Sequence, residues 1–139
     1  MPRWIPKSAI IAIHGELLVE HGGLSGSVNN DLLESTLARL ARPWQIQTYG
    51  EPPPDIFQLA TSYGFGFAKN HCFNDGNKRV SLVAIDVFLV LNGYELVAEE
   101  TDAVFIIESL ASGDVSEEEL SLWIKDNSHP VTPKKIVDS

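Results

Sequence analysis

The chain has one cysteine, Cys72, and one methionine. A lone thiol cannot close an internal disulfide, so nothing points to a stapled scaffold or an oxidising compartment. Cations are scarce as well: ten Lys and Arg stand against nineteen Asp and Glu, for a formal net charge of −9 and an isoelectric point near 4.7. Proteins that grip nucleic acid draw affinity from Lys and Arg set against phosphates, so direct nucleic-acid binding is disfavoured. Long apolar runs are missing. The longest, 80–91, is interrupted by Ser81 and Asp86 and is too short to span a bilayer. No apolar stretch of signal-peptide length precedes Ser8. No membrane partner is expected, and a cytoplasmic location is the default. A Walker-type phosphate loop is absent too, since no Gly-Lys-Ser/Thr occurs.

What is present reads as helix. With 139 residues, 44% hydrophobic and 21% charged, the chain suits one globular domain with a core of its own. In 8–21, Ile10, Ile13, His14, Leu17 and Leu18 recur at helical spacing, and Gly22-Gly23 stops the run. A turn-rich stretch leads to a second helix over 31–41, which Arg42-Pro43 closes. The segment 44–54 loses the helical period, and its alternation predicts a short hairpin or extended flap. A third helix over 55–70 keeps an apolar stripe through Ile56, Leu59, Ala60, Tyr63 and Phe67. Its Gly64 and Gly66 weaken the helix and so imply a closely packed neighbour. The helix over 77–92 is apolar on every face, which places it at the centre of a bundle, with Asp86 as a satisfied polar contact. Two shorter helices follow, over 102–111 and 116–126, the second opened by a Ser116–Glu119 capping box. The expected architecture is all-α: a compact helical bundle around a buried central helix, with one domain over 1–128 and a loose tail over 129–139.

Between Lys69 and Arg79 the chain stops looking generic. Lys69, His71, Lys78 and Arg79 are four of its 14 Lys, Arg and His, gathered where the central helix begins. A helix N-terminus leaves backbone N–H groups unpaired, and its dipole favours negative charge, so such a cluster suits an anion. Gly76 permits positive φ or a close approach to a ligand. Asn77 is suited to cap the helix or to bond a phosphate oxygen. His71 suits activation of a hydroxyl nucleophile near neutral pH. Asp75 is a hard oxygen ligand for Mg²⁺, an N-cap, or both. Phe73 turns into the core and stiffens the loop. Lys69 reads equally as a phosphate contact or a solvated charge, and Cys72 as a variable position. His14 and His21 read as core or helix-end residues.

These residues resemble the Fic family, whose loop runs His-x-Phe-x-(Asp/Glu)-Gly-Asn-Gly-Arg-x-x-Arg into a buried helix. Here the string is His71-Cys72-Phe73-Asn74-Asp75-Gly76-Asn77-Lys78-Arg79, with Leu82 three residues on. Lys78 in place of the last Gly, and Leu82 in place of the second Arg, are the form found in the Doc (death-on-curing) branch. The likeness extends to Gly22-Gly23-Leu24-x-Gly26 and Leu91-Asn92-Gly93-Tyr94, covering roughly 6–127.

The resemblance implies a Fic-fold domain that uses ATP and Mg²⁺. It implies His71, Asp75 and Arg79 as catalytic residues, Asp75 as the metal ligand, and Gly76, Asn77, Lys78, Arg79 and Lys69 around the nucleotide. Fic proteins usually transfer AMP to a protein hydroxyl. Doc proteins are toxins that phosphorylate a threonine of elongation factor Tu and arrest translation. Lys78 fills space that Gly leaves to ATP phosphates, and Leu82 removes one clamp, so ATP is expected to turn its γ-phosphate towards His71. The alternatives are an AMP transferase and an inactive protein-binding module. Fic proteins that restrain themselves carry Ser/Thr-x-x-x-Glu-Gly/Asn, and no Ser or Thr here is followed four residues later by Glu. Restraint is therefore expected from a small antitoxin that folds on binding, in a groove beside the first helices and the 44–54 flap.

Overall fold

Periodicity in the sequence becomes helix in the computed structural model, which describes residues 2–21, 29–45, 54–70, 72–73 and 76–133. Among these the order is α1 (Lys7–His21), α2 (Asn30–Gln45), α3 (Ile56–Asn70), α4 (Asn77–Leu91), β1 (Tyr94–Leu96), α5 (Glu100–Ser112), α6 (Glu117–Asp126) and β2 (Ser128–Pro130). The all-α expectation holds, with one small two-stranded sheet beside the helices. None of the described helices is long and apolar enough to cross a membrane.

The centre of the bundle is a pair of helices, not a single one. α4 packs on α1, α3 and α5, while α3 packs on α2, α4, α5 and α6. Between them they bury Tyr63, Phe67, Ile85, Phe88 and Leu89 almost completely, each removal from water stabilising by about 1.5–3 kcal/mol. The α3 glycines explain how close the packing is. A Cβ on Gly64 would lie 2.6 Å from Ile85 Cδ1, and the Gly64 carbonyl accepts the Ser81 hydroxyl at 2.6 Å. A Cβ on Gly66 would lie 3.0 Å from Thr36 Cγ2, so α2 approaches there. α4 is not buried on all sides: Asp86 has a polar interaction, as expected of it, but lies exposed instead of inside a buried helix. Its helix faces solvent along that line because α1, α3 and α5 cover only the remainder.

Two boundaries depart from the sequence reading. α2 continues through Pro43 to Gln45, where Arg42-Pro43 was expected to end it. Proline's fixed φ is already helical, so the helix continues through it despite the missing N–H and the crowding of its ring against the carbonyl four residues back. The tail expected from His129 onward is held at its start. β2 pairs antiparallel with β1, Glu95 opposite His129, and the Val131 N–H donates to the Gly93 carbonyl at 2.9 Å. The chain is therefore tied to β1 and its preceding turn as far as Val131. The capping box is present: Ser116 Oγ accepts from the Glu119 N–H, and Glu119 Oε1 accepts from the Ser116 N–H. The predicted flap falls almost wholly on 46–53, outside the described residues.

Candidate functional site

The loop between α3 and α4 is built from its buried side chains outward. Phe73 is 3% exposed, as its apolar ring between polar neighbours predicts, and it lies among Phe67 and His14. Its backbone is clasped by Asn77, four residues on. The Phe73 N–H donates to Asn77 Oδ1 at 3.1 Å, and Asn77 Nδ2 donates to the Phe73 carbonyl at 2.9 Å. This pair closes a tight loop whose last residue before the helix is Gly76. That glycine takes φ +82°, a left-handed conformation that a side chain disfavours, and serves as the N-cap of α4. Its carbonyl accepts the first helical bond, from the Val80 N–H at 2.9 Å.

Asn77 thus does not cap the helix, one of the two roles read for it in the sequence. It is inside the helix, not at its cap, and its amide is spent on Phe73. The side chain is only 9% exposed, so it acts here as the buckle of the loop. Lys69 has a partner within the fold as well: its ammonium donates to the Ala111 carbonyl at 2.8 Å, in the last turn of α5. A cation there satisfies a helix-end carbonyl and the negative end of the dipole.

Lys78 and Arg79 are exposed and make no hydrogen bond or ion pair among the described residues. Two cations in the first turn of a helix oppose its dipole, and an anion bound there would relieve that opposition. The only ion pair among the described residues lies elsewhere, between Lys7 and Glu34 at 2.8 Å, whose hydrogen bond and charge hold the exposed Glu34 carboxyl below its usual range. Leu82 is half-buried against the core, so position 82 contributes no charge to the loop. His71 and Asp75, the sequence-predicted base and metal ligand, lie outside the described residues. Among those described, no three His, Cys, Asp or Glu gather as a metal site.

Both chain neighbours of His71 are tied to one buried hydroxyl. Asn70 Nδ2 donates to Thr36 Oγ1 at 2.9 Å, and the buried Cys72 thiol lies 3.5 Å from the same oxygen. The Cys72 carbonyl also accepts the Asn29 N–H at 2.9 Å. Sequence reasoning missed Thr36, which sits unremarkably on an α2 stripe. His14, read as a core or helix-end residue, is indeed buried, but its place against the loop was not foreseen.

Comparison with known proteins agrees with the motif. The model of the Fic/DOC family matches residues 4–89. The chain is 29% identical over 114 residues to Protein kinase doc of Escherichia phage P1, covering 82% of this chain and 86% of that protein. It is 36% identical over 90 residues to Toxin Doc of Mycolicibacterium smegmatis, covering 64% of this chain and 60% of that protein.

Proposed function

The chain belongs to the Fic/DOC family, and we propose that it is the toxin of a toxin–antitoxin pair, a protein kinase that moves the γ-phosphate of ATP onto a Thr or Ser hydroxyl of a translation factor. Elongation factor Tu is the proposed substrate and the cytoplasm the place of action. The relatives' names, Protein kinase doc and Toxin Doc, support this reading. The observation that carries it is the start of α4: a left-handed Gly76 followed by two exposed cations, Lys78 and Arg79, in an acidic chain. That arrangement favours phosphate at the helix N-terminus.

In this reading His71 takes the proton of the acceptor hydroxyl. The acceptor oxygen forms a bond to the γ-phosphorus as the bond to the β-phosphate oxygen breaks, and ADP leaves. Arg79 and Lys78 stabilise charge on the phosphates, and Gly76 admits them close to the backbone. A single carboxylate, Asp75, fits Mg²⁺, which is commonly held by one or two carboxylates together with substrate phosphates. When bound, Mg²⁺ neutralises phosphate charge. Leu82, turned to the core, leaves Lys78 and Arg79 as the cations of this turn, which favours γ- over α-phosphate transfer. A small antitoxin that folds on binding would supply restraint.

The test is transfer from ATP labelled at either the α- or the γ-phosphate to purified elongation factor Tu. Label from the γ position alone is expected. His71→Ala should reduce the rate by roughly 10²–10⁴-fold and abolish growth arrest on expression. Label from the α position would make the protein an AMP transferase. A fully toxic His71→Ala variant would refute the assignment of the base.

A further inference from the structure

His14 lies far from the loop in sequence but against it in space. It sits on α1, is 3% exposed, and stacks on Phe73 with ring centroids 3.9 Å apart and planes at 17°. The edge of the same ring faces Gly76: a Cβ built there would lie 3.7 Å from His14 Cδ2 and 3.9 Å from Nε2. Phe73 and Gly76 bracket the two residues Asn74 and Asp75, and Phe73 is two residues from His71. One side chain therefore stacks on one end of the segment that carries the proposed metal ligand and lies beside the other.

We propose that His14 is a positioning residue of this loop, its imidazole forming the plate against which Phe73 and Gly76 are set. The proposal rests on the kinase reading for its catalytic meaning, but its geometry stands apart from that reading. α1 packs on α4, the helix into which the loop opens, so the ring closes a triangle of α1, loop and α4. The Asn77 amide holds the Phe73 backbone, while the ring of Phe73 has His14 on one face and Phe67 at 6.5 Å. Backbone clasp and ring stack constrain different freedoms, translation of the main chain and tilt of the side chain. A flat ring is what a near-parallel stack on phenylalanine needs.

The experiment compares hydrogen exchange at the Phe73 amide in the wild type, His14→Gln and His14→Phe, with amides in the middle of α3 and α4 as reference. Gln keeps hydrogen-bonding groups and loses the ring; Phe keeps a ring and loses the nitrogens. The expected result is exchange at Phe73 faster by about 2- to 12-fold in His14→Gln, the range an aromatic stack is worth. The reference amides should stay at wild-type rates, and His14→Phe, which keeps the stack and gives up only what the nitrogens engage, should lie closer to wild type than His14→Gln. In the γ-phosphate assay, His14→Gln should lower kcat with KM for ATP unchanged, and His14→Phe should restore it. An unchanged Phe73 amide in His14→Gln would overturn the proposal, as would equal acceleration in His14→Phe. Uniform acceleration at all amides, or a Gln variant that does not fold, would make His14 an ordinary core residue. A wild type that transfers no phosphate would count against the kinase reading alone, because the exchange measurement decides the positioning role without it.

Discussion

Replacing Asn77 by alanine separates two readings of a motif residue. As a phosphate ligand, Asn77 would matter only with nucleotide bound, and its loss would leave the free protein as stable as before. As the buckle of the loop, it contributes to the free protein. The variant removes two hydrogen bonds to Phe73, of 3.1 and 2.9 Å, at a residue 3% exposed. Each bond contributes about 0.5–1.5 kcal/mol net, and a buried group left without a partner costs about 1–3 kcal/mol. Water reaching the opened loop recovers part of this, so the expected loss is about 2–4 kcal/mol. Urea unfolding of the nucleotide-free protein measures it as a lower midpoint with the slope unchanged. Asn77→Asp is the internal control. Its carboxylate still accepts the Phe73 N–H and sits favourably at a helix N-terminus, but it has no donor for the Phe73 carbonyl. It should fall between wild type and alanine. An alanine variant within about 0.5 kcal/mol of wild type would refute the buckle.

Two further perturbations test the central pair of helices. Gly64→Ala forces a Cβ to 2.6 Å from Ile85 Cδ1, an overpacking penalty of about 1–3 kcal/mol offset by about 1 kcal/mol of helix propensity. Ile85→Val deletes that Cδ1, so the double variant should be more stable than the sum of the single effects by at least about 0.5 kcal/mol, and strict additivity in chemical denaturation would contradict the contact. Burial pushes the Tyr63 hydroxyl up to about 12 from 10.0, against a smaller opposite effect of the Ile5 N–H that it accepts. The folded protein then holds a proton that the unfolded chain releases, so Tyr63 contributes stability below pH 10 that is lost as pH rises towards about 12. The difference between wild type and Tyr63→Phe should therefore be flat below pH 10 and shrink above it; a flat difference throughout would contradict the burial argument.

Wherever the physical signal is local, the outcome was legible in the sequence. The apolar period at 3.6 residues placed α1, α3, α5 and α6 to within about two residues of their observed ends, because helical hydrogen bonds join residues four apart. The Ser116–Glu119 capping box was legible for the same reason, and so was the inward turn of Phe73. Gly64 and Gly66 announced a close neighbour but did not say which: Ile85 on α4 and Thr36 on α2 are set by packing. The loop's residue types and spacing identified the candidate site and the family, since motif chemistry is local as well. Tertiary structure decided what those residues touch. Asn77 turned from the expected cap to Phe73, and Lys69 reached Ala111, 42 positions away in sequence. β1 and β2 are three residues each, too short for a period of two to show, and they exist only because α5 and α6 return the chain to Tyr94. His14 was one polar ring on an apolar stripe until the packing of α1 on α4 brought it against Phe73 and Gly76, a contact between segments that no local pattern encodes.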